Sequence, residues 1–173
     1  MTKYLGLKSL VLLTALFLVE TMNVSPVLAQ EPVAEKEAGS DADYIKAQWK
    51  YLEDFAKKDG FITRPGGLLV KRVRAGDGKF PAKIDTVSVH YSGKLVDGTE
   101  FDSTYARNLP QTFPLTGVIK GWGQALLLMR EGSKWEVIVP SALAYGEVGS
   151  APAILPSAVL HFTVELISVL GPK

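Results

Sequence analysis

Hydrophobic residues follow two different spacings along this chain, and the spacing changes near residue 66. Before that point apolar side chains recur at helical intervals, and after it they alternate with polar ones. Ser40 or Asp41 can cap the N-terminal helix, and Gly60 can end it. The apolar stripe of this helix comprises Ile45, Trp49, Leu52, Phe55 and Ala56. Such a stripe must be covered, either by the helix's own domain or by a partner or second copy of the chain.

Three later segments alternate in the manner of strands, namely residues 87–91, 134–139 and 160–166. Asp97-Gly98 is a turn signal between the first of these strands and a further one. Because several antiparallel-type strands surround one short helix candidate, the pattern predicts an α+β domain.

The short helix lies between the predicted strands. Its apolar residues fall at i, i+3, i+4 and i+7, and they are Trp122, Ala125, Leu126 and Met129. Gly132 follows them and is a typical end for a helix.

The N-terminus has the layout of a secretory signal peptide. Lys3 and Lys8 precede an apolar run over residues 10–19, and small residues near position 29 offer a cleavage site. We expect residues 1–29 to be removed and the polar, acidic residues 30–40 to form a flexible linker. The mature protein would then be secreted or extracytoplasmic, in a secretory lumen or a periplasm. An uncleaved membrane anchor is the alternative, although Glu20 leaves the apolar run short for a bilayer.

Charge argues against nucleic acid as a partner. The chain has 19 basic and 18 acidic residues, and cleavage would remove Lys3, Lys8 and Glu20, which leaves 17 of each. A mature protein near neutrality has no electrostatic footprint for a phosphate backbone.

The residue types also limit the chemistry. The chain has no cysteine, so disulfides and thiolate metal sites are excluded. The only two histidines, His90 and His161, occupy polar positions of predicted strands, and we expect both at the surface. We predict no cofactor and no metal. What remains is a set of aromatic and apolar residues in or beside loops, which ordinary core packing and a pocket wall explain equally well.

Four motifs taken together resemble the FKBP family of peptidyl-prolyl cis-trans isomerases, in its macrophage-infectivity-potentiator-like branch. They are VHYSGKLVDGTEFDSTY (89–105), FPLTGVIKGWGQAL (113–126), KWEVIVPSALAYGEVG (134–149) and AVLHFTVELISV (158–169). The resemblance implies an FKBP-like antiparallel half-barrel sheet wrapped around a short central helix over residues 66–173. An additional N-terminal helix and its connection would occupy residues 41–65.

Carried over residue by residue, the resemblance implies a catalytic set of Tyr91, Asp102, Trp122 and Tyr145. It also implies a substrate- and inhibitor-binding set of Phe101, Arg107, Phe113, Val118, Ile119, Ile154, Leu155 and Phe162. Trp122 would be the floor under the substrate proline. The amide of Ile119 and the hydroxyl of Tyr145 would donate to substrate carbonyls. Asp102 would lie at the edge near Tyr91 and Arg107, and Ile154 and Leu155 would line the loop over the site.

The resemblance implies proline-containing polypeptides as substrates and rapamycin- or tacrolimus-type macrolides as inhibitors, with no membrane contact after signal cleavage. A non-catalytic module or chaperone using the same pocket is the competing function.

A monomer is expected, and a dimer through the N-terminal helix is the alternative. Two departures concern peptide preference: Gln111 stands near a second aromatic of small relatives, and residues 149–154 replace a more glycine-rich loop.

Overall fold

The computed structural model describes residues 41–172 of the 173-residue chain. The predicted signal peptide and linker fall on residues 1–40 and lie outside the described residues. The helices are α1 (Asp41–Ala56) and α2 (Lys120–Leu126). The strands are β1 (Ile62–Arg64), β2 (Leu68–Arg74), β3 (Asp85–Lys94), β4 (Glu100–Ser103), β5 (Gln111–Pro114), β6 (Lys134–Val139) and β7 (Leu160–Pro172). Short 3-10 turns occupy Pro65–Gly67, Leu115–Gly117 and Ser141–Leu143.

The strands form one antiparallel sheet in the order β1-β2-β6-β7-β3-β4. The long strand β3 pairs with β7 along one edge, and its other edge is shared by β5 and β4. Two register shifts in the β3–β7 ladder, at Thr86/Val87 and Ser88/Val89, increase the local twist. The predicted α+β class with an antiparallel sheet and two helices is confirmed.

Alternation along the strands gives the sheet two apolar faces. Inward-facing residues such as Val89, Val137 and Leu166 are fully buried against Trp122 and Leu126 of α2. The outer face carries a smaller cluster of Leu69, Ile138 and Val159, packed against Tyr51, Leu52 and Phe55 of α1 and against Phe61 and Val96. The sheet therefore lies between the two helices.

Helix α1 docks on its own domain through Tyr51, Leu52 and Phe55, which is one of the two covers expected for its stripe. Trp49, also part of that stripe, stays 64% exposed. The Gln48 side-chain oxygen accepts a hydrogen bond from the Val159 amide at 2.8 Å, in a buried position. Leaving that amide unpaired would cost about 1–3 kcal/mol. Burial of an aliphatic residue such as Ile138 under the helix contributes about 1.5–3 kcal/mol.

Three local expectations need correction. His161 lies on the outer face as its position predicted, but Tyr51 and Phe55 of α1 cover it, so it is half-buried. His90 is also half-buried and stacks on Tyr105. Helix α2 ends at Leu126, so Met129 is buried beyond the helix instead of in its last turn. None of the helices within residues 41–172 has the length and apolar character needed to span a bilayer.

Candidate functional site

A cavity of about 330 Å³ opens between the inner face of the sheet and helix α2. This volume is at the lower end of the range for small-ligand sites. The cavity is lined by Tyr91, Phe101, Asp102, Gln111, Phe113, Gly117, Val118, Ile119, Trp122, Tyr145 and Phe162. Asp102 is the one charged residue among them, so the cavity is mainly aromatic and aliphatic.

Four strands and one helix supply the aromatic walls. Tyr91 comes from β3, Phe101 from β4, Phe113 from β5, Phe162 from β7 and Trp122 from α2. The first and last of these residues, Tyr91 and Phe162, are 71 positions apart in the sequence. The antiparallel pairing of β3 with β4, β5 and β7 brings the strand residues together on one face of the sheet.

Gly93 makes two of these walls meet. It is the register partner of Asp102 on β4 and of Phe162 on β7. A Cβ at this position would lie 2.6 Å from the Phe101 ring and 2.8 Å from the Phe162 ring. Because glycine leaves that space open, the two rings approach edge to face with centroids 5.7 Å apart.

The indole of Trp122 lies at the centre of the aromatic cluster. It contacts Tyr91, Phe113 and Phe162 edge to face, at centroid distances of 5.0, 5.7 and 5.2 Å. The residue is only 5% exposed, and its Nε1 makes no hydrogen bond with any described group. A rigid apolar surface at the base of the cavity follows from this packing.

One edge of the cavity is polar. The Tyr91 hydroxyl donates to the Asp102 carboxylate, and Arg107 Nη1 donates to the other carboxylate oxygen at 3.0 Å. The Gln111 side-chain oxygen accepts from Arg107 Nη2 at 3.4 Å and lies 3.3 Å from the Tyr91 hydroxyl oxygen.

This network keeps Asp102 ionised. Burial by itself would raise the pKa of Asp102, but hydrogen bonds from Tyr91 and Arg107 outweigh it, and the pKa lies below its ordinary value. Burial, followed by the neighbouring Asp102 carboxylate, raises the pKa of Tyr91 to about 12. Tyr91 is therefore a neutral hydrogen-bond donor at physiological pH.

Two further donors stand at the cavity. Ile119 precedes the first residue of α2, and its amide donates to no other described group, as expected at a helix N-terminus. The hydroxyl-bearing Tyr145 follows the 3-10 turn Ser141–Leu143 and is 41% exposed. Both can reach a ligand without first breaking an internal hydrogen bond.

The structure brings together nine of the twelve residues singled out from the sequence, since all but Arg107, Ile154 and Leu155 line the cavity. Arg107 does not line it but pairs with the Asp102 carboxylate at 3.0 Å. Ile154 is buried in the core, and Leu155 is 56% exposed. Gln111 and Gly117 line the cavity without having been selected. The sequence signalled Gln111 only as a departure from the family pattern, near a second aromatic of small relatives.

An open antiparallel sheet packed against a short helix, with an aromatic cavity between them, defines the FKBP-like class of fold. The crystal structure of FkpA from Escherichia coli has this fold at a TM-score of 0.73 and 42% identity, over 76% of this chain and 62% of that one. The model of the FKBP-type peptidyl-prolyl cis-trans isomerase family matches residues 77–167. The chain belongs to this family.

Curated relatives carry the same family name. The chain is 51% identical over 121 residues to the FKBP-type 22 kDa peptidyl-prolyl cis-trans isomerase of Escherichia coli, which covers 70% of this chain and 59% of that protein. It is 50% identical over 119 residues to the peptidyl-prolyl cis-trans isomerase Mip of Coxiella burnetii, and this match covers 69% of this chain and 52% of that protein. The chain thus spans a little over half the length of these relatives.

Proposed function

We propose that this protein accelerates rotation about X–Pro peptide bonds in polypeptide substrates, without a covalent intermediate. The observation that carries the proposal is the cavity floored by Trp122, with aromatic walls and a single carboxylate at its edge. Family membership points to the same reaction.

The reaction needs neither a nucleophile nor a redox group. Amide resonance holds the bond planar with a barrier of about 18–20 kcal/mol, and twisting the bond removes that resonance. The planar amide is more polar than the twisted one, so it loses more solvation when it enters an apolar cavity. A cavity that excludes water therefore favours the twisted form, which is differential binding of the transition state.

Hydrogen-bond donors fix the substrate chain around the rotating bond. The Ile119 amide and the Tyr145 hydroxyl would bind carbonyls on either side of the proline. Asp102 would orient the Tyr91 hydroxyl and polarise the cavity edge, instead of transferring a proton. A rate increase of about a millionfold would require roughly 8 kcal/mol of barrier reduction, shared between desolvation and orientation.

The same cavity would bind macrolides of the rapamycin and tacrolimus type. Such ligands would place an apolar ring over the Trp122 indole and accept hydrogen bonds from Ile119 and Tyr145. Inhibition would then be competitive with peptide.

A coupled proteolytic assay on a chromogenic proline tetrapeptide tests the activity. The enzyme is the protein recovered after the full chain has been expressed in an exporting bacterium. We expect catalysis at nanomolar to micromolar enzyme, and its suppression by rapamycin or tacrolimus. A Trp122→Ala enzyme that remains folded is the matched negative control. Absence of catalysis in the wild type, with macrolide binding retained, would favour the non-catalytic binding module.

We further propose that residues 1–29 are a signal peptide and that the mature chain begins at Gln30, acts outside the cytoplasm and is a monomer. Relatives include one named as an outer membrane protein, from Legionella longbeachae. Expression of the full chain in an exporting bacterium, followed by fractionation and mass measurement, tests the cleavage site. Sedimentation of the product tests the monomer, and a dimer would assign α1 to self-association.

A further inference from the structure

A second concavity, of about 360 Å³, lies on the outer side of the domain. Helix α1 forms one wall through Ile45, Trp49 and Leu52, and the loop after β6 forms the opposite wall through Ala142 and Glu147. We call it the α1 groove. It shares no lining residue with the aromatic cavity.

The α1 groove is a built feature of the fold. Gln48, at its base, is 4% exposed and is hydrogen-bonded to the amide of Val159, so the helix is fixed against the sheet. Trp49 on the next position is 64% exposed. An indole left in water on a helix that is otherwise docked is an apolar surface that a ligand can cover.

The loop 141–147 joins the groove to the aromatic cavity. Tyr145 lines the cavity, while the next two residues, Gly146 and Glu147, line the α1 groove. The Gly146 amide donates to the Ser141 carbonyl, and the Gly146 carbonyl accepts from the Ser157 amide, at 2.8 Å each. The loop is therefore held in place, and its two sides present two neighbouring binding surfaces.

Exposed apolar residues continue along this loop. Val148 directly follows Glu147 and is 86% exposed, and Leu155, whose backbone lies against Gly149, is 56% exposed. Val148 and Leu155 therefore add exposed apolar surface beside the loop that lines the groove.

We propose that the α1 groove binds an apolar side chain of the same polypeptide whose X–Pro bond occupies the aromatic cavity. This inference rests on the proposed function. Glu147 is the one charged residue among the described residues that line the groove, so an apolar residue flanked by lysine or arginine is the favoured occupant. The groove would thereby add affinity for unfolded proteins without touching the rotating bond.

The size of the groove favours a client side chain over a second copy of the protein. A stable protein interface buries about 800 Å² on each partner, with roughly 20–30 residues on each side. The α1 groove is only slightly larger than the cavity proposed for one proline, 360 Å³ against 330 Å³, and so admits one or two side chains.

Two substrates separate the two sites. A chromogenic proline tetrapeptide reports on the cavity alone, because it is too short to leave a free apolar residue for the groove. The refolding of a reduced, carboxymethylated ribonuclease, limited by proline isomerisation, reports on both. The variants are Trp49→Ala, which removes one wall, and Ala142→Trp, which fills the groove from the opposite wall. The control is Ile84→Ala, since Ile84 is 65% exposed and does not line the groove.

We expect both groove variants to raise KM for the ribonuclease at least about fivefold, the smallest effect typical of losing an interface contact that contributes to binding. The kcat/KM of both groove variants for the tetrapeptide should equal that of the wild type. The Ile84→Ala control should match the wild type in both KM for the ribonuclease and kcat/KM for the tetrapeptide. Unchanged ribonuclease kinetics in both variants would overturn the proposal while leaving the proposed function intact. A wild type inactive on the tetrapeptide would refute the proposed function instead. Concentration-dependent dimerisation of the wild type that Trp49→Ala abolishes would assign the groove to a second copy and overturn the proposal.

Discussion

The hydroxyl of Tyr91, on β3, donates a hydrogen bond to the carboxylate of Asp102, on the neighbouring strand β4. The contact ties the polar edge of the cavity to its aromatic wall, because the Tyr91 ring also lies edge-on to Trp122 at 5.0 Å. Tyr91 is buried at 5% exposure, whereas the Asp102 side chain is 39% exposed. The pair thus connects the interior of the cavity to its rim.

Asp102→Ala should lower kcat/KM for the tetrapeptide without abolishing it. The carboxylate orients Tyr91 but is not required for bond rotation, so a loss of about tenfold, equivalent to about 1.4 kcal/mol, is expected. Glu100→Ala is the matched control, because Glu100 lies on the same strand and its carboxylate instead accepts from Ser92 at 2.6 Å. A folded Asp102→Ala protein with no measurable activity would contradict an orienting role.

The same variant should change the titration of Tyr91. Burial is the main reason that its pKa reaches about 12, and the Asp102 carboxylate is the second. Removing the carboxylate should lower the pKa of Tyr91 while leaving it above its ordinary value. Ultraviolet difference absorbance of tyrosinate, with Tyr91→Phe as the assignment control, measures this. An unaltered titration would show that Asp102 has no electrostatic effect on the hydroxyl.

Trp122→Ala should weaken both the fold and the cavity. Loss of a buried aromatic residue that contacts three other rings is expected to cost about 3–5 kcal/mol in the free energy of unfolding. Trp122→Phe should cost less, because the indole Nε1 has no hydrogen-bond partner among residues 41–172 to lose. Urea unfolding and macrolide titration measure the two effects. Macrolide affinity equal to the wild type in a folded Trp122→Ala protein would rule out Trp122 as the floor.

Gly93→Ala should reduce activity by moving two cavity walls. The new Cβ would lie 2.6 Å from the Phe101 ring and 2.8 Å from the Phe162 ring, so at least one ring must shift. Gly123→Ala is the control, because its Cβ would meet only Val118 at 4.0 Å inside helix α2. Alanine there should stabilise the helix by roughly 0.5–1 kcal/mol. Equal tetrapeptide kinetics for Gly93→Ala and the wild type would mean that the Phe101–Phe162 contact does not shape the site.

Docking of α1 should make stability dependent on pH through His161. Burial lowers the pKa of His161 below its ordinary value of 6.5, and the nearby charges of Lys58 and Lys94 lower it further. The Glu136 carboxylate acts in the opposite direction and raises the pKa, but it does not outweigh burial. Its Nδ1 is hydrogen-bonded to the Tyr51 hydroxyl at 2.7 Å.

The sign of this dependence follows from proton binding. Below about pH 6.5 the unfolded chain binds a proton at His161 more readily than the folded protein does. The free energy of unfolding should therefore be greatest above that pH and fall as the solution is acidified. Urea unfolding at pH values on either side of 6.5 measures the difference. The slope should flatten in His161→Gln and persist in His90→Gln; an identical slope in all three proteins would exclude His161 as its source.

Strands β3, β6 and β7, the turn that leads into β4, the two helices and the α+β class could be predicted from the sequence because they depend on local spacing. The short strands β1 and β5 carry too few residues to show an alternating pattern. Val87, Val89 and Tyr91 share a face whatever they pack against, and the turn at Asp97-Gly98 is local, with the Thr99 amide donating to Asp97 at 2.9 Å. Most of the cavity residues were identified through the family motifs, since periodicity alone could not separate a pocket wall from a core wall.

Other features depend on contacts between distant segments. His161 lies at a position whose alternation predicts a surface residue, yet it is half-buried. Helix α1 covers it, and the Tyr51 that contacts it lies 110 residues earlier in the chain. The Gln111 side-chain oxygen comes within 3.3 Å of the Tyr91 hydroxyl only because β5 pairs with β3. Ile154, expected over the site, is buried in the same core cluster as Trp122 and Phe162 and does not line the cavity.

The sequence by itself determined which residues alternate, where turns and helix ends fall, and which family the motifs match, because each of these is encoded within a few neighbouring positions. Tertiary structure decided which apolar residues line an open cavity, which polar groups bond across strands, and that α1 and the loop 141–147 enclose a groove. Those outcomes depend on the register and packing of strands far apart in the chain, and no local pattern specifies them.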